Sequence, residues 1–274
     1  MRELQKIISK YFQKDGTGIV YYNISQELFN KVIDPNNIMS YERPDILSVF
    51  DNNIVGIEHF EFDSYKSSNK RGSDFKIKDY IIEKKFDEKM KKQLKENDSV
   101  IFHDQIESTA SLQNYFNNFK KVFISHYKKL NDYLNHIKTD FDCSNKDIHF
   151  CFFVEDESPL GSYYLNSKRE ICLLTPLFSD EIIELLKNSP KVEYLVIGTY
   201  AMSEHKMIII ENKEETLERL KNEHEKIKED DFFAFSPQTT GYALKIPKEY
   251  KNKLWKYANK LNWVYNNIEE YIGY

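Results

Sequence analysis

Two stretches of this chain carry almost no polar alternation: Asp147 to Val154, DIHFCFFV, and Val192 to Tyr200, VEYLVIGTY. A strand with one face in water alternates apolar and polar residues. A strand apolar nearly throughout needs cover on both faces. Residues between and after them supply that cover. Ser179 caps SDEIIELLKN, which has acids in its first turn, and residues 214–228 form a charged helix. KMIII, Lys206 to Ile210, is a further strand. Apolar strands interleaved with helices predict an α/β fold, a central mixed sheet flanked by helices.

The rest of the chain adds to that frame. Residues 2–13 predict an amphipathic helix, followed by a DGTG turn at 15–18. IVYYNI, Ile19 to Ile24, is strand-like, and Ser25 caps a short helix running through Ile33. Residues 109–137 carry the strongest helical period. Leu112, Tyr115, Phe116, Phe119, Val122, Phe123, Leu130, Tyr133, Leu134 and Ile137 recur every three or four positions. If continuous, that helix is about 40 Å long. His126 lies on its apolar stripe and is expected to be a satisfied core histidine. Residues 241–246 and 248–272 suggest a last strand and helix. No repeat or low-complexity linker divides the 274 residues, so a single domain is expected, with a basic arm at 64–98.

Hydrophobic residues at 41% and charged residues at 30% exclude a disordered composition. The abundance of Tyr, Phe, Lys, Asn and Ile is that of AT-rich coding, expected of a low-GC bacterium or its phage. A net charge of -5 excludes a basic coat but not a local patch. From Lys66 to Lys95 there are eleven basic and five acidic residues, a local net of +6. Such a run is a solvated helix face or a phosphate-contacting flap. Cys143, Cys151 and Cys172 form no CxxC pair, which argues against structural zinc and fits a reduced, cytoplasmic setting. No apolar run approaches the roughly 18 residues that cross a bilayer, so no membrane partner is expected.

The stretch YERPDILSVFDNNIVGIEHFEFD, Tyr41 to Asp63, predicts a hairpin. Its register decides which side chains meet, because a slip of one residue exchanges the faces. A two-residue turn at Asn52-Asn53 sets Asp45 opposite Phe60 and puts Asp45, Glu58 and Phe60 on one face. Two converging carboxylates there suit a hard divalent cation. A three-residue turn, Asp51 to Asn53, instead gathers Asp45, His59 and Glu61, a mixed set that suits a transition metal. In an unrelated α/β interaction protein the register would put Asp45 and Glu58 on opposite faces. Glu155, Asp156 and Glu157 end an apolar strand, where function often sits, although such acids are more often solvated loop residues. No phosphate-binding glycine loop, dinucleotide fingerprint or HExxH is present.

Pro44-Asp45, a hairpin, and Glu58 thirteen residues on resemble the motif of the PD-(D/E)XK nuclease superfamily. The resemblance covers residues 20–155 or so and implies a restriction-endonuclease-like core of order α-β-β-β-α-β, here with a C-terminal α/β extension. It implies that Asp45 and Glu58 hold Mg2+ or Mn2+, with Glu27 as the upstream helix acid and Glu42 as a weaker choice. The superfamily places a lysine two residues after the glutamate to orient the attacking water. This chain has Phe60 there. The amine or its polar substitute would then come from a neighbouring element, with Lys66, Lys70, Gln105 and Gln113 as candidates.

The resemblance thus implies a metal-dependent endonuclease or phosphodiesterase acting on nucleic acid, DNA in the first instance. Lys66, Lys70, Arg71, Lys76 and Lys78 would hold phosphates, and a homodimer is an assembly open to it. The alternative is a non-catalytic module of the same fold that binds nucleic acid or protein, for which Phe60 is the best support.

Overall fold

The computed structural model describes residues 18–68, 72–73, 77, 80–81, 84–85, 88, 92, 105–106, 111–158, 163–165, 168, 171–201, 204–225, 232–234 and 239–240. The chain divides into two compact units, Met1–Ser64 with Ser111–Phe235, and Tyr65–Ala110 with Ser236–Tyr274.

The first unit is built on a seven-stranded mixed sheet. Its strands are β1 (Ile19–Tyr22), β2 (Ile38–Ser40), β3 (Ile46–Phe50), β4 (Asn53–Phe62), β5 (Asp147–Asp156), β6 (Tyr194–Ala201) and β7 (Glu204–Glu211). They lie in the order β1-β7-β6-β5-β4-β3-β2. β4 and β6 both run parallel to β5, and β1 runs parallel to β7. The hairpin partners β2–β3, β3–β4 and β6–β7 are antiparallel. Among the described residues, five helices accompany the sheet: α1 (Gln26–Ile33), α2 (Leu112–Tyr127), α3 (Leu130–Asp140), α4 (Asp180–Lys187) and α5 (Glu214–His224). A small antiparallel sheet joins 163–165, 171–173 and 232–234.

The apolar runs are buried on both sides, as their composition requires. Phe150, Phe152 and Val154 of β5 share one core with Leu195, Ile197, Phe60 and Phe62, under Tyr115, Phe119 and Phe123 of α2. Leu130 and Ile137 of α3, Ile183 and Leu186 of α4 and Leu217 of α5 complete that layer. Cys151 and Phe153, the alternate residues of β5, belong to a second core with Val55, Ile57 and Val196, against Phe29 and Val32 of α1. α1 begins where its cap predicts, with Ser25 Oγ accepting from Leu28 N at 3.0 Å. Ser179 occupies the N-cap position of α4 but makes no capping bond with its side chain.

Two expectations need correction. The long amphipathic run is two helices, not one. The break at Lys128–Lys129 has no glycine or proline. The chain turns there through i→i−3 bonds, Lys129 N to His126 O and Asp132 N to Lys129 O, both 3.0 Å. The hairpin turn is Asp51-Asn52, one residue earlier than the anticipated two-residue turn and one residue shorter than the three-residue one, since Phe50 pairs with Asn53 and Ile46 with Ile57. Asp51 takes the positive φ of 48° that the turn demands, a conformation aspartate tolerates as asparagine does.

In the second unit, Ser67–Ser68 pairs with Gly72–Ser73 and Gln105–Ile106 with Thr239–Thr240. Positions 77, 80, 81, 84, 85, 88 and 92 of the basic arm are helical and exposed. Lys70, Arg71, Lys76 and Lys78, the helix expected at 2–13 and the elements expected over 241–272 lie outside the described residues.

At the foot of the sheet, His149 of β5 joins two neighbours. Its Nδ1 bonds Glu193 and its Nε2 meets Asn53 Oδ1 at 3.0 Å. The Glu193 bond raises the imidazole above its ordinary 6.5, against the effect of burial, and holds Glu193 below its ordinary 4.5. A raised histidine stabilises in full below 6.5 and loses its contribution as pH climbs through the higher folded value. A depressed glutamate stabilises in full above 4.5 and loses its contribution as pH falls through the lower folded value. The pair is therefore strongest between those two limits. Urea unfolding of wild type and His149→Gln should show the widest stability gap between pH 4.5 and 6.5 and a shrinking gap above it. A gap constant from pH 6 to 9 would contradict the assignment.

Candidate functional site

β4 carries Glu58, His59 and Glu61, three of the residues singled out in the sequence. Its even-numbered residues from Ile54 to Phe62 face α2 and α3, and its odd-numbered residues face the other way, because strand side chains alternate. The β3–β4 ladder, continued by one step beyond Ile46↔Ile57, sets Asp45 directly opposite Glu58, so both lie on the α2/α3 face. The unrelated-protein register, with the two acids on opposite faces, does not occur. Neither does the Asp45, His59, Glu61 set, since His59 turns away. What His59 gives Asp45 is its backbone, with His59 N donating to Asp45 Oδ2 at 2.9 Å.

Gly56 makes room for this corner. A Cβ at Gly56 would lie 2.9 Å from Pro44 Cγ and 3.0 Å from the Phe150 ring. Only a glycine lets Pro44 sit so close over β4, and Pro44 delivers Asp45 to its place opposite Glu58.

Glu58 is 5% exposed and needs partners for its charge. They come from the two helices. His126 Nδ1 contacts its Oε1 at 2.6 Å and Tyr133 OH donates to the same oxygen at 2.8 Å. Lys129, at the break between the helices, places Nζ 3.9 Å away. A carboxylate only accepts, so His126 donates from Nδ1. Burial pushes the Glu58 carboxyl up, but the bonds from His126 and Tyr133 and the nearby cations outweigh it, and the net shift is downward. Burial and the bond to Glu58 raise the Tyr133 phenol. Phe60, which holds the motif's lysine position, stacks on the His126 ring with centroids 4.4 Å apart and planes at 17°. His126, expected to be a satisfied core histidine, lies on the core stripe and is satisfied by the buried acid.

Asp45 stays exposed at the rim. Burial of its inner side and the charge of Glu58 raise its carboxyl, while the His59 amide pulls the other way. Among the described residues, Asp45 Oδ1 and Glu58 Oε2 accept no hydrogen bond. The pair thus offers one uncommitted oxygen from each strand.

A second acidic group lies on the opposite face, at the carboxyl ends of β4 and β5. Glu61, Glu155 and Glu157 each bring an oxygen within 4.8 Å of the others. His59 Nε2 contacts Glu155 Oε2 at 2.8 Å. Glu155 and Asp156 are both 4% exposed, not the solvated loop acids anticipated, and only Glu157 is open to water. Tyr115 OH and Ser158 N donate to Asp156.

The remaining candidates of the first unit, Glu27, Glu42 and Gln113, make no contact with Glu58 among the described residues. Glu27 is exposed on α1, which covers the opposite face of the sheet. Glu42 is exposed on the chain leaving β2. Gln113 donates to Asn117 along the surface of α2 at 3.1 Å. Lys66 is exposed and Gln105 is in a short strand, both in the second unit. The residues missed were Tyr133 and Lys129. A tyrosine on an apolar stripe must still satisfy its hydroxyl. That was the available signal, and it points inward to a buried acceptor.

No family model, no curated protein and no solved structure matches this chain. Among the described residues, no helix is long and apolar enough to cross a membrane.

Asp45 bears a charge that burial and the neighbouring Glu58 penalise. Replacing Asp45 by Asn keeps an acceptor for the His59 amide and removes that charge. The variant should melt higher than wild type at pH 7. Its advantage should fade as pH drops through the raised pKa of Asp45, where the wild-type carboxyl is already neutral. Thermal unfolding at pH 7 and pH 4 tests this, and a lower melting temperature at pH 7 would refute it.

Proposed function

We propose that this chain is a metal-dependent phosphodiesterase acting on nucleic acid, with Asp45 and Glu58 as its metal-holding carboxylates. What carries the reading is that Asp45, the residue just before β3, accepts from His59 N next to Glu58 on β4 and lies within reach of the charge of Glu58, each carboxylate with an uncommitted oxygen among the described residues. The element order supports it as well. Within the first unit, α1, β2, β3, β4, the α2–α3 pair and β5 follow the α-β-β-β-α-β order of a restriction-endonuclease-like core, with two helices in place of one and with elements of the second unit inserted in sequence between β4 and α2.

The donors fit the group. Mg2+ and Mn2+ take hard oxygen ligands, and the pair supplies two carboxylate oxygens whose mutual repulsion a cation would relieve. Such an ion, when bound, lowers the pKa of a water and neutralises charge on the phosphoryl group. The chain's own residues do the rest. His126 and Tyr133 fix one oxygen of Glu58 and leave the other uncommitted. Lys129 brings an amine beside Glu58 from a neighbouring element, the part the motif otherwise gives to the position of Phe60. Phe60 holds the His126 ring flat against it.

A second reading, a binding module of the same fold without catalysis, draws on one observation. Glu58 Oε1 is already committed to His126 and Tyr133, an arrangement that also serves stability alone.

Cleavage of plasmid and single-stranded DNA with Mg2+ or Mn2+ separates the two readings. Loss of a partner of a metal ligand costs roughly 10–100-fold, so Asp45→Asn and Glu58→Gln should each lose at least about 100-fold while remaining folded. Lys129→Ala should lose less. Mn2+ binding followed by electron paramagnetic resonance in Asp45→Asn and, separately, Glu155→Gln tells which carboxylates hold the ion. Undiminished cleavage in both Asp45→Asn and Glu58→Gln would remove the catalytic reading.

A further inference from the structure

A groove lies between the segment that leads into Asp45 and helix α3, which carries Tyr133. Ser40, Tyr41, Glu42 and Arg43, on the chain leaving β2, form one wall, and His136 and Asp140 of α3 form the other. Its volume, about 460 Å³, is in the range of small-ligand sites. α3 joins it to Glu58. Tyr133 donates to that carboxylate, and His136 and Asp140 follow at i+3 and i+7 along the same side of the helix.

The walls are held by one contact. Tyr41 OH donates to Asp140 Oδ2 at 2.5 Å, and its ring packs on Phe141 with centroids 6.0 Å apart. Burial and that carboxylate push the Tyr41 phenol up to about 12. Asp140 is therefore committed to the wall. Arg43 and His136 are exposed, and neither makes an ion pair or a hydrogen bond among the described residues. Arg43 also exerts its charge on the Tyr133 phenol, so its field reaches the place where α3 meets Glu58. Glu42 is the one acid of the lining without such a commitment.

We propose that this groove seats one phosphate of a nucleic-acid strand on Arg43 and His136, next to the bond presented to Asp45 and Glu58. The inference rests on the phosphodiesterase reading and names its substrate-positioning residues. A guanidinium presents a planar fork of donors that matches two phosphate oxygens. An imidazole in either tautomer adds an N–H donor. Ser40 offers a hydroxyl at the rim. Glu42 opposes the phosphate and limits affinity, so its removal has a sign opposite to that of Arg43.

The test is binding of a fluorescein-labelled 12-nucleotide single-stranded DNA to the full chain by anisotropy, in EDTA, at several salt concentrations. Arg43→Gln should weaken binding roughly tenfold, the worth of one charge-assisted contact. It should also flatten the log–log salt slope by about 0.7, one phosphate's share on a single strand. His136→Gln should weaken binding less, and Glu42→Gln should tighten it. Inorganic phosphate should compete with the strand in wild type and much less in Arg43→Gln. Unchanged affinity and slope in the Arg43→Gln/His136→Gln double variant would overturn the proposal, as would absence of DNA binding by the wild-type chain. Because EDTA removes any cleavage, this outcome is independent of the Asp45→Asn and Glu58→Gln cleavage assays. Loss of binding in Arg43→Gln beside full cleavage in those two variants would keep the groove and discard the catalytic pair.

Discussion

The ten-residue parallel ladder between β4 and β5, Asn53↔Asp147 through Phe62↔Asp156, is the constraint on which the site depends. It locks β4 between two partners, with β3 on its other side. Once that register is set, each residue of Glu58-His59-Phe60-Glu61 has a face and no freedom to change it. Glu58 and Phe60 enter the core beneath α2 and α3. His59 and Glu61 join Glu155 on the other side. A slip of one residue would bury His59 and Glu61 under the aromatic layer of α2 and expel Phe60 and Phe62. The loss of apolar burial alone, about 1.5–3 kcal/mol for each large side chain, forbids it.

Burial then dictates the chemistry of Glu58. An ionised carboxylate in that layer is costly unless donors surround it. The helices supply them from the same positions that supply core packing. Tyr133 is both a buried aromatic and a hydroxyl donor, and His126 both stacks on Phe60 and bonds the acid. The site and the core are one structure here. Phe60 has a clear physical role in that arrangement: an aliphatic amine at its position would have to be buried in the core, whereas Lys129 reaches Glu58 from the surface.

Much of the fold was legible. The unbroken apolar runs of β5 and β6 require a sheet covered on both faces, and Ser25 marks the start of α1. The hairpin itself was clear, but its register was not: one anticipated turn put Asp45 and Glu58 on one face with Asp45 opposite Phe60, and the other gathered Asp45 with His59 and Glu61. The turn was placed one residue late because Asp51, Asn52 and Asn53 all tolerate the conformation required. Local chemistry could not choose among them, and the β4–β5 register did. The break between α2 and α3 was hidden for a similar reason. Phe123 and Leu130 are seven residues apart, so the apolar period runs unbroken across a bend in which i→i−3 bonds join the i→i−4 ones.

The partner of His126 was illegible for a different reason. Glu58 and His126 are sixty-eight residues apart in sequence, and the segment between them includes the whole of Tyr65–Ala110, which belongs to the other unit. Nothing local in either stretch names the other. What the sequence does contain is a conflict at each end, a glutamate inside an apolar strand and a histidine and tyrosine on an apolar helical stripe. Each would be unfavourable alone. Polar groups on core faces of two elements predicted to pack together are most cheaply resolved against each other, and that rule, applied to β4 and the helices that follow it, pairs Glu58 with His126 and Tyr133.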